Sequence, residues 1–113
     1  IRDDLKDLPV YGGITAYLLM GMTFAIMYSL INEMDPGAFH VHDALGRDDL
    51  MTWGDLLYFS FTTLTTLGYG DVTPVNSFAR ALSIVEAIAG VLYVAVLIAQ
   101  LVLAPAMARK GRK

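Results

Sequence analysis

The chain has 113 residues, of which 56% are hydrophobic and 17% charged, with a formal net charge of -3 at pH 7. So apolar a composition is unusual for a soluble domain of this size, and the acidic balance argues against nucleic-acid binding. There is no cysteine, which excludes disulfides and thiolate metal sites, and the phosphate-binding glycine patterns and a Ser-His-Asp arrangement are missing, so no enzyme is expected.

Residues 1–9 mix both signs of charge in Arg2-Asp3-Asp4-Leu5-Lys6-Asp7. They lack the basic n-region of a cleaved signal peptide and predict a cytoplasmic interfacial segment, with Pro9 well placed at a helix start. Ile1 at the first position, rather than Met, points to a processed chain or a piece of a longer protein, with room for a regulatory domain outside this chain. Charge is absent from Val10 through Asn32, longer than the ~20 apolar residues that cross a bilayer, so 10–31 is predicted as an outer transmembrane helix. Gly12, Gly13 and Gly21 would let a second helix approach closely. Tyr11 and Tyr28 are expected as anchors at the two membrane interfaces.

Residues 32–52 turn polar, with Asp35-Pro36-Gly37 and Leu45-Gly46-Arg47 as breakers, and predict an extracellular loop. His40 and His42 lie two apart in it; such a pair suits metal binding or a pH response, or is plainly solvated. A helix is predicted over 53–65, with Thr52 as N-cap and Asp55 at the third helical position. The run Tyr58-Phe59-Ser60-Phe61-Thr62-Thr63 would also suit a buried strand, but an isolated strand is not viable in lipid, so helix is preferred. At about 12 residues it is roughly half of what a crossing needs. An extended loop over 66–71 follows, then an outward loop over 72–77 in which Asn76 or Ser77 can cap the second span. That span is predicted over 78–108, where Ala81–Ala108 holds Glu86 as its one ionisable residue, and 109–113 form a basic tail.

Arg2, Lys6, Arg109, Lys110, Arg112 and Lys113 flank the two spans, which places both termini in the cytoplasm of a cell-membrane, multi-pass protein. The segment between the spans carries Glu33, Asp35, Asp43, Asp48, Asp49, Asp55 and Asp71 against Arg47 and Arg80, an outward face that attracts cations.

In Thr66-Leu67-Gly68-Tyr69-Gly70-Asp71, glycines stand at alternate positions. Aiming successive carbonyls the same way needs alternating left- and right-handed backbone, which Gly adopts at no steric cost. A stack of carbonyls on one axis replaces the hydration shell of an alkali cation without a charged side chain. Thr66, Leu67, Gly68 and Tyr69 would supply those carbonyls, the Thr66 hydroxyl closing the innermost position. Leu67 and Tyr69 would point back into the surrounding short helices, and Asp71 would sit at the outer mouth. One chain cannot encircle an ion, so four copies on a cyclic axis are required.

The stretch Thr65-Thr66-Leu67-Gly68-Tyr69-Gly70-Asp71 resembles the signature of the potassium-channel family, and the likeness extends from about Val10 to Leu103, closest to prokaryotic two-helix pores. In Ala87-Ile88-Ala89-Gly90-Val91-Leu92 the second span is similar to the inner helix of voltage-gated members. The resemblance implies an all-α membrane protein: two transmembrane helices, a re-entrant pore helix and a selectivity-filter loop, assembled in the bilayer as a C4 homotetramer. It implies K+ ions at Thr66, Leu67, Gly68 and Tyr69 and no organic cofactor. It also implies a gating hinge at Gly90 and a water-filled cavity lined by Val91, Val94, Ile98, Ala99 and Val102, with an apolar gate near Val102 or Ala106. On the same grounds Asp71 would be tied to Tyr58 or Trp53, and Glu86 would face the pore helix. Glu86 is then expected to bond Thr62, Thr63 or another group behind the filter, with a cavity-facing cation attractor and a proton sensor as alternatives.

Three departures stand out. Leu67 occupies a position where the family most often has Val, which leaves a non-selective monovalent cation pore as the alternative function. The Pro-x-Pro kink of voltage-gated relatives is replaced by Leu97-Ile98-Ala99, and no arginine-rich helix is present.

Overall fold

A computed structural model describes the backbone of residues 2–42 and 51–110 and the side chains of 8–42 and 51–103. The Leu45-Gly46-Arg47 breaker, the acids Asp43, Asp48 and Asp49, and the side chains of the basic tail, of Ala106 and of residues 2–7 lie outside the described residues.

Five elements follow in chain order: α1 (Arg2–Met34), β1 (Phe39–Val41), α2 (Trp53–Leu64), β2 (Val72–Pro74) and α3 (Ser77–Lys110). Within α1 and α3, Leu8–Met34 and Ser77–Leu103 are each 27 residues long and apolar enough to cross a membrane. At 1.5 Å per residue each reaches about 40 Å, enough for a ~30 Å hydrocarbon core with some tilt. Residues 2–9 do not form a separate segment, because α1 runs through Pro9. At the eighth helical residue Pro9 removes one i→i−4 hydrogen bond and crowds the Leu5 carbonyl, a local cost that the helix continues through.

The 12-residue α2 starts at a capping box. The Thr52 hydroxyl accepts from the Asp55 amide at 3.2 Å, and the Asp55 carboxylate accepts from the Thr52 amide at 3.0 Å, so two amides that the helix leaves open are both satisfied. Asn76 caps α3, its side-chain oxygen accepting from the Ala79 amide at 2.6 Å while its amide donates to Asp35 at 3.1 Å.

A two-stranded antiparallel ribbon joins the loops on either side of α2, pairing Phe39 with Pro74, His40 with Thr73 and Val41 with Val72. The mostly helical fold therefore contains strand in two segments that the sequence marks only as loops. Phe39 faces inward and completes a core with Phe24, Tyr28, Ile31, Leu56, Phe59 and Val72. The rings of Tyr28, Phe39 and Phe59 meet edge to face at 5.0 to 5.6 Å, the arrangement that aromatic quadrupoles favour.

Tyr28 is wholly buried in that core, which corrects its reading as an interfacial anchor; Tyr11 is 59% exposed. Gly13 and Gly21 are close-approach points, because a Cβ at either would press on Leu97 or on the Phe61 ring, whereas Gly12 faces open space. Away from the core the chain is apolar outside as well as in. Val91, Leu92, Val94, Val96, Ile98, Leu101, Val102 and Leu103 are all exposed on the second half of α3, an apolar surface of the kind that marks a protein or membrane contact.

Candidate functional site

The site begins where α2 ends. Thr65 caps the helix in an ordinary right-handed conformation, and its amide donates to the Phe61 carbonyl at 3.0 Å. The next amides stay tied to the same helix end, Thr66 to the Thr63 carbonyl and Gly68 to the Thr62 carbonyl, each at 3.2 Å. The loop is thus anchored on the last turn of α2 while its remaining backbone is free to face elsewhere.

Left-handed backbone occurs at Thr66 (φ 63°), Gly68 (φ 51°) and Gly70 (φ 82°), with Leu67 and Tyr69 between them at negative φ. The alternation runs through the whole stretch. Gly68 and Gly70 adopt these angles without penalty; Thr66 does not, because a β-branched residue with positive φ is a genuine outlier. Sequence reasoning missed this strained position, for composition associates left-handed backbone with Gly, Asn and Asp. The Thr66 hydroxyl donates to the Thr65 carbonyl at 2.6 Å. Leu67 and Tyr69 are 53% and 70% exposed, so within one chain neither side chain is packed behind the loop.

Asp71 closes the stretch. Its carboxylate accepts from the Val72 amide at 3.1 Å and its carbonyl from the His42 amide at 2.5 Å, which ties the loop to the start of the ribbon. Of the two candidate aromatic partners it is Tyr58 that meets the Asp71 carboxylate. Lost hydration around the Tyr58 hydroxyl, then its bond to Asp71, raise the tyrosine above its ordinary pKa. Trp53 is 47% exposed at the first position of α2. His40 in β1 and His42 just beyond it are exposed, with ring centroids 4.3 Å apart. No cluster of three or more metal-ligating side chains occurs among the described residues.

A hollow of ≈ 380 Å³ is lined by Thr65 and Thr66 and by Gly90, Val91, Val94 and Ile98 of α3. Val91 and Thr66 also border a second hollow of ≈ 310 Å³ with Ile88. Of the residues expected to line a cavity, Val91, Val94 and Ile98 meet Thr66 here. Ala99 and Val102 are exposed further along α3, outside both hollows. Gly90 is buried against the backbone of Leu64, whose carbonyl also accepts from Tyr17 at 3.3 Å.

Glu86 lies one turn before Gly90 and is wholly buried. Its carboxyl oxygens meet the hydroxyls of Tyr28 at 2.9 Å and Ser60 at 2.7 Å. Thr62 instead donates within α2 to the Phe59 carbonyl, so Ser60 and Tyr28, rather than Thr62 or Thr63, are the partners of Glu86. Spacing along α2 offers Ser60 as readily as Thr63, and nothing in the sequence points from Glu86 to a tyrosine on α1.

The sequence profile of the family described as "Ion channel" matches residues 14–105, which include the whole site. The chain is 34% identical over 87 residues to Protein LctB of Bacillus caldotenax, covering 76% of this chain and 64% of that protein. It is also 34% identical over 87 residues to Two pore potassium channel c of Oryza sativa subsp. japonica, covering 77% of this chain and 17% of the relative. With the Voltage-gated potassium channel Kch of Escherichia coli (strain K12) it shares 30% identity over 93 residues, 80% of this chain and 20% of that one. The chain therefore corresponds to only part of each of these proteins. A family match across most of its length, potassium channels among its relatives and two membrane-length helices agree: this is a membrane chain that belongs to the ion-channel family, as a potassium-channel pore domain.

Proposed function

We propose that the chain forms one quarter of a homotetrameric pore through which K+ passes passively and selectively, stripped of water, between the backbone carbonyls of Thr66, Leu67, Gly68 and Tyr69. The observation that carries this reading is the alternation of left-handed backbone at Thr66, Gly68 and Gly70. Such alternation turns successive carbonyls toward one side of the chain, and four copies would bring those sides together around an axis. Two further features support it. A half-length helix ends at Thr65, and its negative dipole end favours a cation in the hollow below Thr66. The exposed Leu67 and Tyr69 and the apolar flank of α3 are surfaces that neighbouring copies and lipid would cover.

In this reading α2 is a re-entrant pore helix, Asp71 shapes the outer mouth with Tyr58, and the hollow beside Val91, Val94 and Ile98 becomes part of a shared cavity that Ala99 and Val102 extend. Thr62, Thr63 and Glu86 lie behind the filter, and Gly90 is the place where α3 bends on gating. Both termini face the cytoplasm of the cell membrane, as the flanking arginines and lysines favour, and a regulatory domain beyond this chain would supply the stimulus. No chemical step is assigned to any residue.

The test is the reversal potential of the reconstituted chain in planar bilayers under a potassium gradient with sodium opposing. A reversal potential that follows potassium is expected. Equal sodium and potassium currents would leave a non-selective monovalent cation pore, and the Leu67 side chain behind the loop would be the first place to look. Gly68→Ala places a Cβ on a left-handed residue, which costs roughly 1–2 kcal/mol, and should stop flux while leaving tetramers intact; unchanged flux would sink the filter assignment.

A further inference from the structure

Ser60 presents a proton-counting problem whose solution lies on Glu86. The Ser60 hydroxyl oxygen is 2.6 Å from the Gly21 carbonyl of α1 and 2.7 Å from one carboxyl oxygen of Glu86 on α3. A serine hydroxyl carries one proton and serves one of these short contacts as donor. The other contact would then press two lone-pair oxygens together at hydrogen-bond distance. Gly21 offers only a carbonyl there, so the second proton must come from the carboxyl. The remaining Glu86 oxygen already accepts from the Tyr28 hydroxyl at 2.9 Å, which leaves the oxygen facing Ser60 as the one that carries the proton.

We propose that Glu86 is held in the membrane as a neutral carboxylic acid, which accepts from Tyr28 and donates to Ser60, while Ser60 donates in turn to the Gly21 carbonyl. The chain of bonds runs through all three long elements, α3 to α2 to α1, and each oxygen in it then has a proton to share or to receive. Neutrality also removes the cost of an ion at membrane depth without a counter-ion. Glu86 and Ser60 are both at 0% exposure within a single chain, so neither water nor a neighbouring copy is needed to complete the set.

No cation faces the carboxyl among the described side chains. On α3 the nearest is Arg80, six residues earlier and exposed. From α1, Tyr28 bonds Glu86 directly, whereas the Tyr17 hydroxyl donates to the Leu64 carbonyl. On α2 the titratable residues are Asp55, committed to the Thr52 cap, and Tyr58, committed to Asp71. Glu86 thereby acts as a positioning residue for α2, whose last turn anchors the Thr66–Gly70 loop.

The chain has only two glutamates, Glu33 and Glu86, and Glu33 is exposed. This chain reconstituted in lipid with carboxyl-labelled glutamate therefore gives two carbon-13 resonances, and Glu33→Gln assigns them. At neutral pH the Glu86 signal is expected at the carboxylic-acid position and the Glu33 signal at the carboxylate position; a Glu86 signal at the carboxylate position overturns the proposal. Glu86→Gln keeps one acceptor and one donor in the same shape and is expected to retain potassium flux. Glu86→Leu leaves the buried Tyr28 hydroxyl without its acceptor and takes from Ser60 the proton it receives, and is expected to lower the yield of conducting tetramers about tenfold or more. Flux lost equally in Glu86→Gln and Glu86→Leu would mean that the charge, not the neutral acid, is what α2 requires.

Discussion

Gly90 on α3 lies against the carbonyl oxygen of Leu64 at the end of α2, with no room between them for a methyl group. The neighbour is backbone, and it belongs to the helix turn that anchors the Thr66–Gly70 loop, so it cannot swing aside as a side chain would. Gly90→Ala is expected to push α2 and α3 apart at a cost of about 1–3 kcal/mol, read as a lower melting temperature of the assembled protein and a fall in flux. Gly12→Ala, which meets nothing, is the control: it should leave flux unchanged and the melting temperature no lower. If Gly90 mattered only as a hinge, Gly90→Ala would change the open probability while assembly and melting stayed as they were.

A second prediction concerns the start of α2. Thr52 and Asp55 satisfy each other's amides, so either change to Ala should destabilise the protein by about 1 kcal/mol. The double variant should cost little more than one single variant, because the reciprocal bonds are lost once. Thermal unfolding followed by the fluorescence of Trp53, the first residue of the helix and the sole tryptophan, measures all three. Additive losses would mean that the two residues act separately.

What the sequence made legible follows from how local each signal is. The two spans are visible because apolar runs of that length match what a bilayer crossing requires, and the Thr52 cap because its partner stands three residues away. Left-handed backbone at Gly68 and Gly70 was equally open to reading from residue type. The ribbon was not: each strand has three residues, and Phe39 pairs with Pro74 across the whole of α2, a match no periodicity records. The Tyr28 to Glu86 bond joins residues 58 apart in the chain; nothing local distinguishes a buried tyrosine near a helix end from an interfacial one. Thr66 was hidden for the opposite reason, because its local preference is overruled by the anchored turns on both sides of it.

The pairing of Tyr58 with Asp71 predicts a pH dependence. Lost hydration and the facing carboxylate raise the tyrosine above its ordinary value of 10.0. A folded-state pKa above the unfolded one means that the protonated phenol is favoured by folding. Its contribution is fully present below pH 10.0, and it declines as pH rises from there through the higher folded-state value. The native protein should therefore lose stability more steeply than Tyr58→Phe above that pH, while below it Tyr58→Phe should be the less stable of the two. Parallel melting-temperature profiles for both proteins across the alkaline range would show that the hydroxyl does not sense Asp71.

Thr66 allows the loop conformation itself to be tested, apart from any measurement of selectivity. At an ordinary helix position Gly is less stable than Ala by about 1 kcal/mol. At φ 63° the order should reverse, because left-handed backbone costs an L-residue with a Cβ roughly 1–2 kcal/mol and costs Gly nothing. Thr66→Gly is accordingly expected to be more stable than Thr66→Ala, although both lose the hydroxyl that now donates to the Thr65 carbonyl. The comparison cancels that shared loss and leaves the backbone term. Flux separates the remaining question: Thr66→Ser keeps a hydroxyl and should conduct better than either. Greater stability of the alanine variant would show that residue 66 is not left-handed, and the alternation from which the carbonyl stack was inferred would then begin only at Gly68.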